Sequence, residues 1–390
     1  MGERRTFVLT DAKRDFWVED FTLDGADLGP AALRGCTVSK RRLRGGRRDG
    51  VDLIRVDNGA LSISIAATRG MGLWRASLGG ERVGWDSPTS DGPVHPALVQ
   101  PHDFGGIGWL EGFDELMVRC GLTNNGAPYR EGDALYPLHG RIGNIPAWYV
   151  AVHVDLEPPH AITVEGRVTE SFLFGGGVEL TTSYTTTPGS NAATVRDEFA
   201  NVKDQPVDMQ ILYHWNFGPP HLEEGSRFVA PLKTVVPRNP RAVEGLATYD
   251  AYGPPEPGFA EQVYFCELHA EAGRTAVMLR NRVGDRAVAL RYGVDGLPCF
   301  SLWKNTGGLR DGYVTGLEPG VNYPNPRPFE QARGRVVTLP VDGRHVTETT
   351  LEVLDGRDAV ARLEAEIARI QAQAEPVVHP LPREPFASEG

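Results

Sequence analysis

The chain has 390 residues, and its 46 glycines and 30 prolines make up about a fifth of it, where about 12% is usual. Because 41% of the residues are hydrophobic and the glycines follow no three-residue period, the composition excludes collagen-like fibres and disordered chains. The 40 basic and 51 acidic residues leave a net charge of -11, which repels phosphate backbones, so nucleic acid is not an expected partner.

The sequence also indicates a cellular setting. It contains no run of about 18 apolar residues, the length that a membrane-spanning helix needs, and its start, MGERRTFVLTDAKRD, lacks the apolar core of a signal peptide. The four cysteines are far apart and form no CxxC motif, as is typical of a reduced intracellular protein. We therefore predict a cytoplasmic protein with no membrane partner, present as a monomer or a homodimer.

Two hairpins are predicted near the start of the regular pattern. Between residues 51 and 65, apolar residues alternate with polar or small ones on both sides of Asp57-Asn58-Gly59, a turn in which Asn-Gly tolerates positive φ. The segments 73–78 and 81–85 flank Gly79-Gly80 in the same way. This part of the chain is therefore expected to form a β-meander, whereas the first forty residues carry no clear pattern.

Residues 86–148 lack long alternations of apolar and polar residues and are rich in His, Trp, Asn, Gly and Pro. This composition is more typical of functional loops than of loops that only connect strands. Regular strand patterns then resume, separated by turn residues. They cover 161–169, 178–186, 193–202, 207–215, 227–230, 262–268, 275–280, 286–292, 299–303, 313–318, 334–339 and 347–354. About fifteen or more strands at this spacing predict an all-β fold, a large antiparallel sandwich.

One helix is predicted near the C-terminus. Its apolar stripe steps by three and four residues through Val360, Leu363, Ile367, Ile370 and Ala374, before Pro376 ends it. We expect the stripe to pack on the chain's own domain, with a short coiled-coil seam for dimerisation as the alternative. The predicted organisation is one domain over 1–355, the helix over 356–375 and a flexible tail over 376–390.

Three segments combine ionisable residues with turns or strand ends. His139 lies in the turn-rich segment 136–141, His214 on the strand that begins at Val207, and Glu318 directly before a proline. Because strand residues alternate between faces, His214 is expected opposite the apolar face of its strand. A lone histidine or a glutamate before proline is more often structural than catalytic, so no single segment decides a function.

Together these segments resemble the aldose 1-epimerase (galactose mutarotase) superfamily over about residues 50–355. The resemblance rests on Leu138-His139-Gly140 with Pro146 and Trp148, on His214-Trp215-Asn216-Phe217, and on Leu317-Glu318-Pro319 with Asn322. It is closest to a bacterial branch of unknown function, with which the chain shares Arg69-Gly70-Met71, His95-Pro96, GWLEGFD at 108–114 and Cys120-Gly121-Leu122. The Asn-Arg pair of the classical enzymes is not evident, which leaves the substrate open.

The resemblance implies a β-supersandwich of the galactose mutarotase type with a sugar site in a groove. It implies that Glu318 is the general base for the anomeric hydroxyl, that His214 is the acid for the ring oxygen, and that His139 orients the substrate. Ring opening removes one proton and adds one at neighbouring oxygens, which a carboxylate and an imidazole can do near neutral pH. The expected partner is a small sugar, and no cofactor is expected.

Further substrate-binding residues are predicted from residue type and from the neighbouring motifs. Besides His139, they are Arg69, Asp103, Trp109, Asn124, Arg141 and Lys304. These side chains supply hydroxyl-binding groups or, for Trp109, a ring face for a sugar, and Trp74 and Trp303 are alternative stacking residues.

Three functions stay open at this point. The first is a 1-epimerase that acts on the anomeric centre of a free monosaccharide. The second is a carbohydrate-binding protein without turnover, and the third is a sugar or keto-sugar isomerase or lyase that uses the same acid–base pair. A metal version of the third would use His95, His102 and Asp103, with His139 as a further candidate ligand, but their spacing matches no zinc motif and no metal is predicted.

Overall fold

The computed structural model of the chain describes residues 3–89 and 92–388, so the predicted tail residues 389–390 lie outside it. In the first half of the chain the strands are β1 Arg4–Asp11, β2 Phe16–Trp17, β3 Phe21–Asp24, β4 Thr37–Arg42, β5 Asp52–Asp57, β6 Leu61–Ala66, β7 Gly72–Leu78, β8 Glu81–Val83, β9 Met117–Leu122, β10 Tyr129–Glu131, β11 Ala134–Tyr136, β12 Tyr149–Asp155, β13 Ile162–Ser171, β14 Gly177–Thr186 and β15 Ala192–Asn201.

In the second half they are β16 Val207–Phe217, β17 Arg227–Val229, β18 Leu232–Pro237, β19 Gln262–Leu268, β20 Arg274–Arg280, β21 Arg286–Gly293, β22 Cys299–Thr306, β23 Tyr313–Gly320, β24 Val337–Leu339, β25 Arg344–Asp355 and β26 Val377–Val378. The α-helices are α1 Asp103–Gly106, α2 Pro240–Glu244, α3 Arg327–Ala332 and α4 Arg357–Gln371. Short 3₁₀ turns cover Ala12–Arg14, Gly25–Leu28, Ala31–Leu33, Gly46–Arg48, Pro96–Leu98, Gly108–Gly112, Ile142–Asn144 and Leu246–Thr248.

The strands of the described residues form two large sheets, one of 10 and one of 14 strands, with a separate pair β10–β11. The smaller sheet has the order β17-β20-β21-β25-β15-β14-β13-β12-β1-β2. The larger runs β26-β18-β19-β22-β23-β16-β9-β7-β6-β5-β4-β3, with β8 beside β7 and β24 beside β16. Apolar residues from both sheets, such as Phe199 and Leu290 from one and Ile63 and Tyr213 from the other, fill the space between them. The predicted antiparallel sandwich is confirmed.

The local hairpin predictions are also confirmed. Strands β5 and β6 are joined at Asn58-Gly59, where Gly59 has a φ of 90°, and β7 and β8 are joined at Gly79-Gly80. The side chain of Asn58 accepts hydrogen bonds from the N–H groups of Ala60 and Leu61, which closes the turn. The turn residues thus fix where the meander folds back.

Several strands have no counterpart in the sequence prediction: β1 to β4, β9 to β12, β18 and β26. Strand β9 lies within the segment 86–148 that was expected to form loops, yet it pairs with β16 near the middle of the larger sheet. All six of its residues are buried. A strand covered on both faces needs no polar alternation, so the period of two is missing from its sequence.

Helix α4 covers the outer face of the smaller sheet. Its residues Val360, Leu363 and Ile367 pack with a buried apolar cluster that includes Met278 and Leu354 of the strands beneath. The apolar stripe thus packs on the chain's own sheet. No helix in the described part of the chain is long and apolar enough to span a membrane.

The prediction of a flexible tail is corrected for residues 376–388. Strand β26 pairs in parallel with β18 at the edge of the larger sheet, and Phe386 and Ala387 are buried. The Asn325 side chain donates a hydrogen bond to the Phe386 carbonyl (2.7 Å) and accepts one from the Ser388 N–H (3.2 Å). The prolines that suggested disorder do not prevent docking, because a few apolar side chains and backbone bonds hold the segment.

Candidate active site

The three predicted catalytic segments meet on the outer face of the larger sheet, away from the core between the sheets. On β16, Ile211, Tyr213 and Trp215 point into that core, and the residues between them, His214 among them, point outward. The outward position predicted for His214 from alternation is confirmed.

The register of two neighbouring strands brings His214 and Glu318 together. Trp215 on β16 pairs with Leu317 on β23, which places the preceding His214 beside the following Glu318. His214 Nε2 lies 3.1 Å from Glu318 Oε1, and the two residues are only 4% and 3% exposed. The contact is close, but Oε1 has no hydrogen-bond partner among the described residues. A carboxyl group and an imidazole thus meet directly in a nearly dry setting.

The tautomer of His214 follows from its other contact. The Asn216 amide nitrogen donates to the carbonyls of Glu115 and His214, both at 3.0 Å, so its oxygen must be the atom that faces His214 Nδ1 at 2.6 Å. That oxygen can only accept, which places a proton on Nδ1. In the neutral ring, the Nε2 atom that faces Glu318 is then free to accept a proton.

Burial changes the pKa values of both groups, in opposite directions. Desolvation raises the pKa of Glu318 well above its usual value, and the nearby Glu261 adds to this while Arg238 opposes it. Desolvation lowers the pKa of His214 well below its usual value, and His139 adds to this while the Asn216 hydrogen bond opposes it. The buried pair therefore favours its uncharged form, with the proton on the carboxyl group.

A glycine and two aromatic rings surround the pair of His214 and Glu318. A Cβ atom at Gly316 would lie 2.4 Å from Glu318 Oε1 and 3.2 Å from both His214 Cε1 and Trp303 Cβ, so only glycine fits beneath the pair. The Trp303 ring lies 5.2 Å from the His214 ring, and Phe113 lies 5.0 Å from it, both edge-on. The half-buried Trp303 also donates from Nε1 to Glu261 Oε2 at 2.6 Å.

His139 completes the cluster from the loop side. It has a φ of 58°, its ring lies 5.5 Å from that of His214, and its Nδ1 donates to the Asn125 carbonyl at 2.7 Å. Asn125 is itself held by two reciprocal amide hydrogen bonds to Asn322, of 2.8 and 2.9 Å. Burial lowers the pKa of His139 to about 4, so the neutral ring presents Nε2 as an acceptor.

Comparison with protein families identifies the chain. The family model described as a domain of unknown function (DUF4432) matches residues 48–353. The chain belongs to the DUF4432 family. A solved structure from Klebsiella pneumoniae subsp. pneumoniae MGH 78578, named as a candidate aldose 1-epimerase, is 35% identical to this chain, with a TM-score of 0.93. The match covers 98% of this chain and 100% of that one.

More distant solved structures show which type of fold this DUF4432 protein has. A galactose mutarotase-like protein from Clostridium acetobutylicum is 13% identical, with a TM-score of 0.54 over 82% of this chain and 98% of its own. The Slr1438 protein from Synechocystis sp. PCC 6803 is 13% identical, with a TM-score of 0.52 over 81% and 96%. The chain thus has the galactose mutarotase-like fold that its motifs indicated. No curated protein sequence matches it.

Arg69 and Asn124 were predicted to bind substrate, but in this DUF4432 protein their donors serve the protein itself. All three guanidinium nitrogens of Arg69 are used, on Glu115 (2.7 Å), Asn144 (2.6 Å) and the Gly112 carbonyl (2.8 Å). The Asn124 amide donates to backbone carbonyls, at 2.8 Å to Pro137. Both predictions are corrected: these buried side chains brace the loops around the site.

Lys304 and Trp109 are corrected for a different reason. Lys304 alternates with Trp303 on β22, so it points to the core side, where Nζ donates to the carbonyls of Thr248 (2.8 Å) and Ala251 (2.6 Å). Trp109 is 1% exposed and contacts the His139 ring at 4.6 Å, so it supports that histidine from behind and offers no free face to a sugar.

The remaining predicted residues lie farther out. Asp103 in α1 and Arg141 are exposed and flank the loop of His139, because the Leu138 N–H donates to the Gly106 carbonyl (2.8 Å) and Arg141 follows two residues later. Their role in substrate binding stays a prediction. Trp74 donates to Asp114 at 2.7 Å on another part of the sheet.

The possible metal version gains no support from the geometry. The described residues contain no group of three or more His, Cys, Asp or Glu side chains placed to hold a metal ion. His95 Nδ1 accepts from the Ala97 N–H (3.2 Å), so that histidine caps a short turn.

Sequence reasoning assigned no role to Asn216, although it lies in the His214 motif, and it did not single out Ser301 or Gln210. Gln210 shares the outward face of β16 with His214, and neither of its amide atoms has a hydrogen-bond partner among the described residues. Ser301 lies beside Glu318 in the register of β22 and β23. Alternation along each strand would have placed both on the site face, but only the strand pairing brings Ser301 to Glu318.

Proposed function

We propose that this protein interconverts the anomers of a free monosaccharide, as an aldose 1-epimerase. The observation that carries the proposal is the 3.1 Å contact between Glu318 and His214 on adjacent strands. The anomeric hydroxyl and the ring oxygen of a sugar are bonded to the same carbon, so a base and an acid that serve them must be immediate neighbours. This pair is placed accordingly.

The proposed reaction uses one proton that moves within the pair. In the charged form of the pair, the Glu318 carboxylate takes the proton of the anomeric hydroxyl while the His214 imidazolium gives its Nε2 proton to the ring oxygen, and the C1–O5 bond breaks. Rotation about C1–C2 in the open aldehyde exposes the other face, and the reverse transfers close the ring. The proton count of the pair is the same at the end, so no co-reactant is needed.

The surroundings support these roles. The Asn216 contact holds the His214 ring with Nε2 toward Glu318, and the neutral His139 offers an acceptor to a substrate hydroxyl beside it. The name of the Klebsiella protein, at 35% identity over nearly the whole chain, agrees with the proposed activity. Cys36, Cys120, Cys266 and Cys299 are buried free thiols, which suits the cytoplasmic location that we propose.

Polarimetry tests the activity. Purified protein is added to freshly dissolved α-anomers of a panel of aldoses, and the change in optical rotation is compared with the uncatalysed rate. We expect acceleration for at least one aldose and a loss of about 10²- to 10⁴-fold in Glu318→Gln and in His214→Asn. Glu157→Gln, at an exposed glutamate, is the control.

Each other result points to a different function. Thermal stabilisation by a sugar without any acceleration would favour a binding protein. Exchange of a carbon-bound proton with deuterium from solvent would favour the isomerase or lyase. Unchanged rates in Glu318→Gln would contradict the proposed mechanism.

A further inference from the structure

Ser301 lies next to the catalytic pair. It alternates on β22 with Phe300 and Leu302, which fill the core between the sheets, so its side chain is on the outer face. It pairs directly with Glu318 on one side and with Phe265 on the other. Directly paired residues have Cβ atoms about 5 Å apart, so Ser301 is an immediate neighbour of the proposed base.

The hydroxyl group of Ser301 makes no hydrogen bond within the described part of the chain. The residue is 1% exposed, and its Oγ has no hydrogen-bond partner among the described residues. On the core-facing side of the same strands, by contrast, Lys304 and Thr315 are bonded to backbone carbonyls. A buried hydroxyl without a partner is unfavourable, so a partner supplied by a ligand would relieve it.

The order of groups across the sheet matches the order of atoms in a sugar. From β16 to β22 the outward residues are His214, Glu318 and Ser301. If His214 serves the ring oxygen and Glu318 the hydroxyl on C1, the next carbon on the side away from the ring oxygen is C2. We propose that Ser301 hydrogen-bonds to the hydroxyl on C2 and so selects aldoses that carry it free. This inference rests on the proposed function.

The neighbour of Ser301 adds a steric limit. Phe265 is fully buried in an apolar cluster with Val236, Val263 and Tyr323, so it cannot move aside easily. A bulky group on C2, such as an acetamido group, would meet this ring. The substrate class is therefore an aldose with an unsubstituted 2-hydroxyl.

The test compares sugars that differ only at C2. Rates for D-glucose and D-galactose are measured against those for their 2-deoxy forms, with wild type, Ser301→Ala and the control Ser64→Ala, which removes a half-buried serine elsewhere on the same sheet. We expect the wild type to prefer the parent sugars by about tenfold in kcat/KM. The S301A variant should lose most of this preference because its kcat/KM falls for the parent sugars. We expect a much smaller change in kcat/KM for the deoxy sugars and no fall in Tm.

Contrary results are distinguishable from failure of the proposed function. Equal losses on both sugars of a pair, or no wild-type preference, would overturn the role of Ser301 while leaving the epimerase intact. If the wild type accelerates no sugar, the proposed activity fails, and calorimetric binding of the same sugar pairs to wild type and S301A decides the role of Ser301. Absence of binding to every sugar would overturn both.

Discussion

The carboxyl group of Glu318 lies where its uncharged form is favoured. Desolvation dominates the rise of its pKa, and the same burial lowers the pKa of His214. The reactive arrangement, carboxylate with imidazolium, is then the less favoured placement of one proton in the pair. A substrate that hydrogen-bonds to both groups would replace the lost solvation. The desolvated pair therefore destabilises the folded protein, and substrate binding would offset that free-energy cost.

This cost makes the stability of the Glu318→Gln variant depend on pH. With a raised folded-state pKa, the folded protein keeps a proton on Glu318 at pH values where the unfolded chain, with an ordinary glutamate value of 4.5, has lost it. Wild-type stability therefore falls as pH rises from that value toward the folded-state pKa, and glutamine does not titrate. We expect the Tm of the variant to match wild type near about pH 4 and to exceed it increasingly as the pH rises above about 5, until the folded-state pKa of Glu318 is passed.

Thermal scans across that pH range measure the difference. The matched control is Glu157→Gln, which changes an exposed carboxylate and should show no such trend. A difference in Tm that stays constant with pH would show that the carboxyl group of Glu318 keeps an ordinary pKa.

At the scale of elements, the C-terminal segment joins the site to the rest of the sheet. Phe386 packs with Phe265, Tyr323 and Trp303, and Trp303 lies against His214. Beneath the segment, the buried Glu330 accepts from Arg335 (2.5 and 2.8 Å) and Asn325 (2.7 Å), and Arg335 also donates to the Pro385 carbonyl (2.7 Å). The segment thus belongs to the apolar cluster that supports Trp303 beside His214.

Phe386→Ala should therefore loosen the segment. Burial of a phenylalanine ring in a core is worth about 3–5 kcal/mol, but the segment can detach locally, so the measured loss is limited by its docking free energy. We expect faster tryptic cleavage after Arg383 and a lower Tm. Leu381→Ala, at a residue 62% exposed, is the control and should change neither. Equal cleavage rates in wild type and F386A would show that the segment is not docked.

At the scale of the whole molecule, a buried ion pair links the two sheets. Arg119 of β9 and Asp197 of β15 are fully buried and make two contacts, of 2.5 and 2.9 Å. The hydroxyls of Thr182 and Tyr184 accept from the guanidinium, and Tyr213 donates to the carboxylate at 2.6 Å. The two charges compensate each other in the core between the sheets, which fixes how one sheet sits on the other.

Arg119→Met should destabilise the protein by about 3–5 kcal/mol, because it leaves the Asp197 charge buried without its partner. Chemical denaturation measures the loss. The double variant with Asp197→Leu should recover part of it, since the unpaired charge is then removed. Arg344→Met breaks an exposed pair with Glu198 between neighbouring strands and should cost less than about 1 kcal/mol. A similar loss in R119M and R344M would contradict the structural role of the buried pair.

Local features were predictable from the sequence because they depend on near neighbours. The turns at Asn58-Gly59 and Gly79-Gly80, most strands after residue 160, helix α4 and the outward face of His214 follow from turn chemistry and from periods of two or 3.6 residues. The family motifs added His139 and Glu318, which no period distinguishes. Buried strand β9 and the docked tail escaped prediction because their contacts lie far away in the sequence.

What the sequence alone determined is the class of fold, the family and the three side chains of the candidate site. Tertiary structure decided which residues surround them. Strand register brought Ser301 to Glu318, and alternation on β22 turned Lys304 inward while Trp303 faces His214. Register and burial arise from pairing between distant segments, so they cannot be read from local pattern. Burial gives Arg69 and Asn124 structural contacts, and strand register places the Ser301 hydroxyl beside the proposed base.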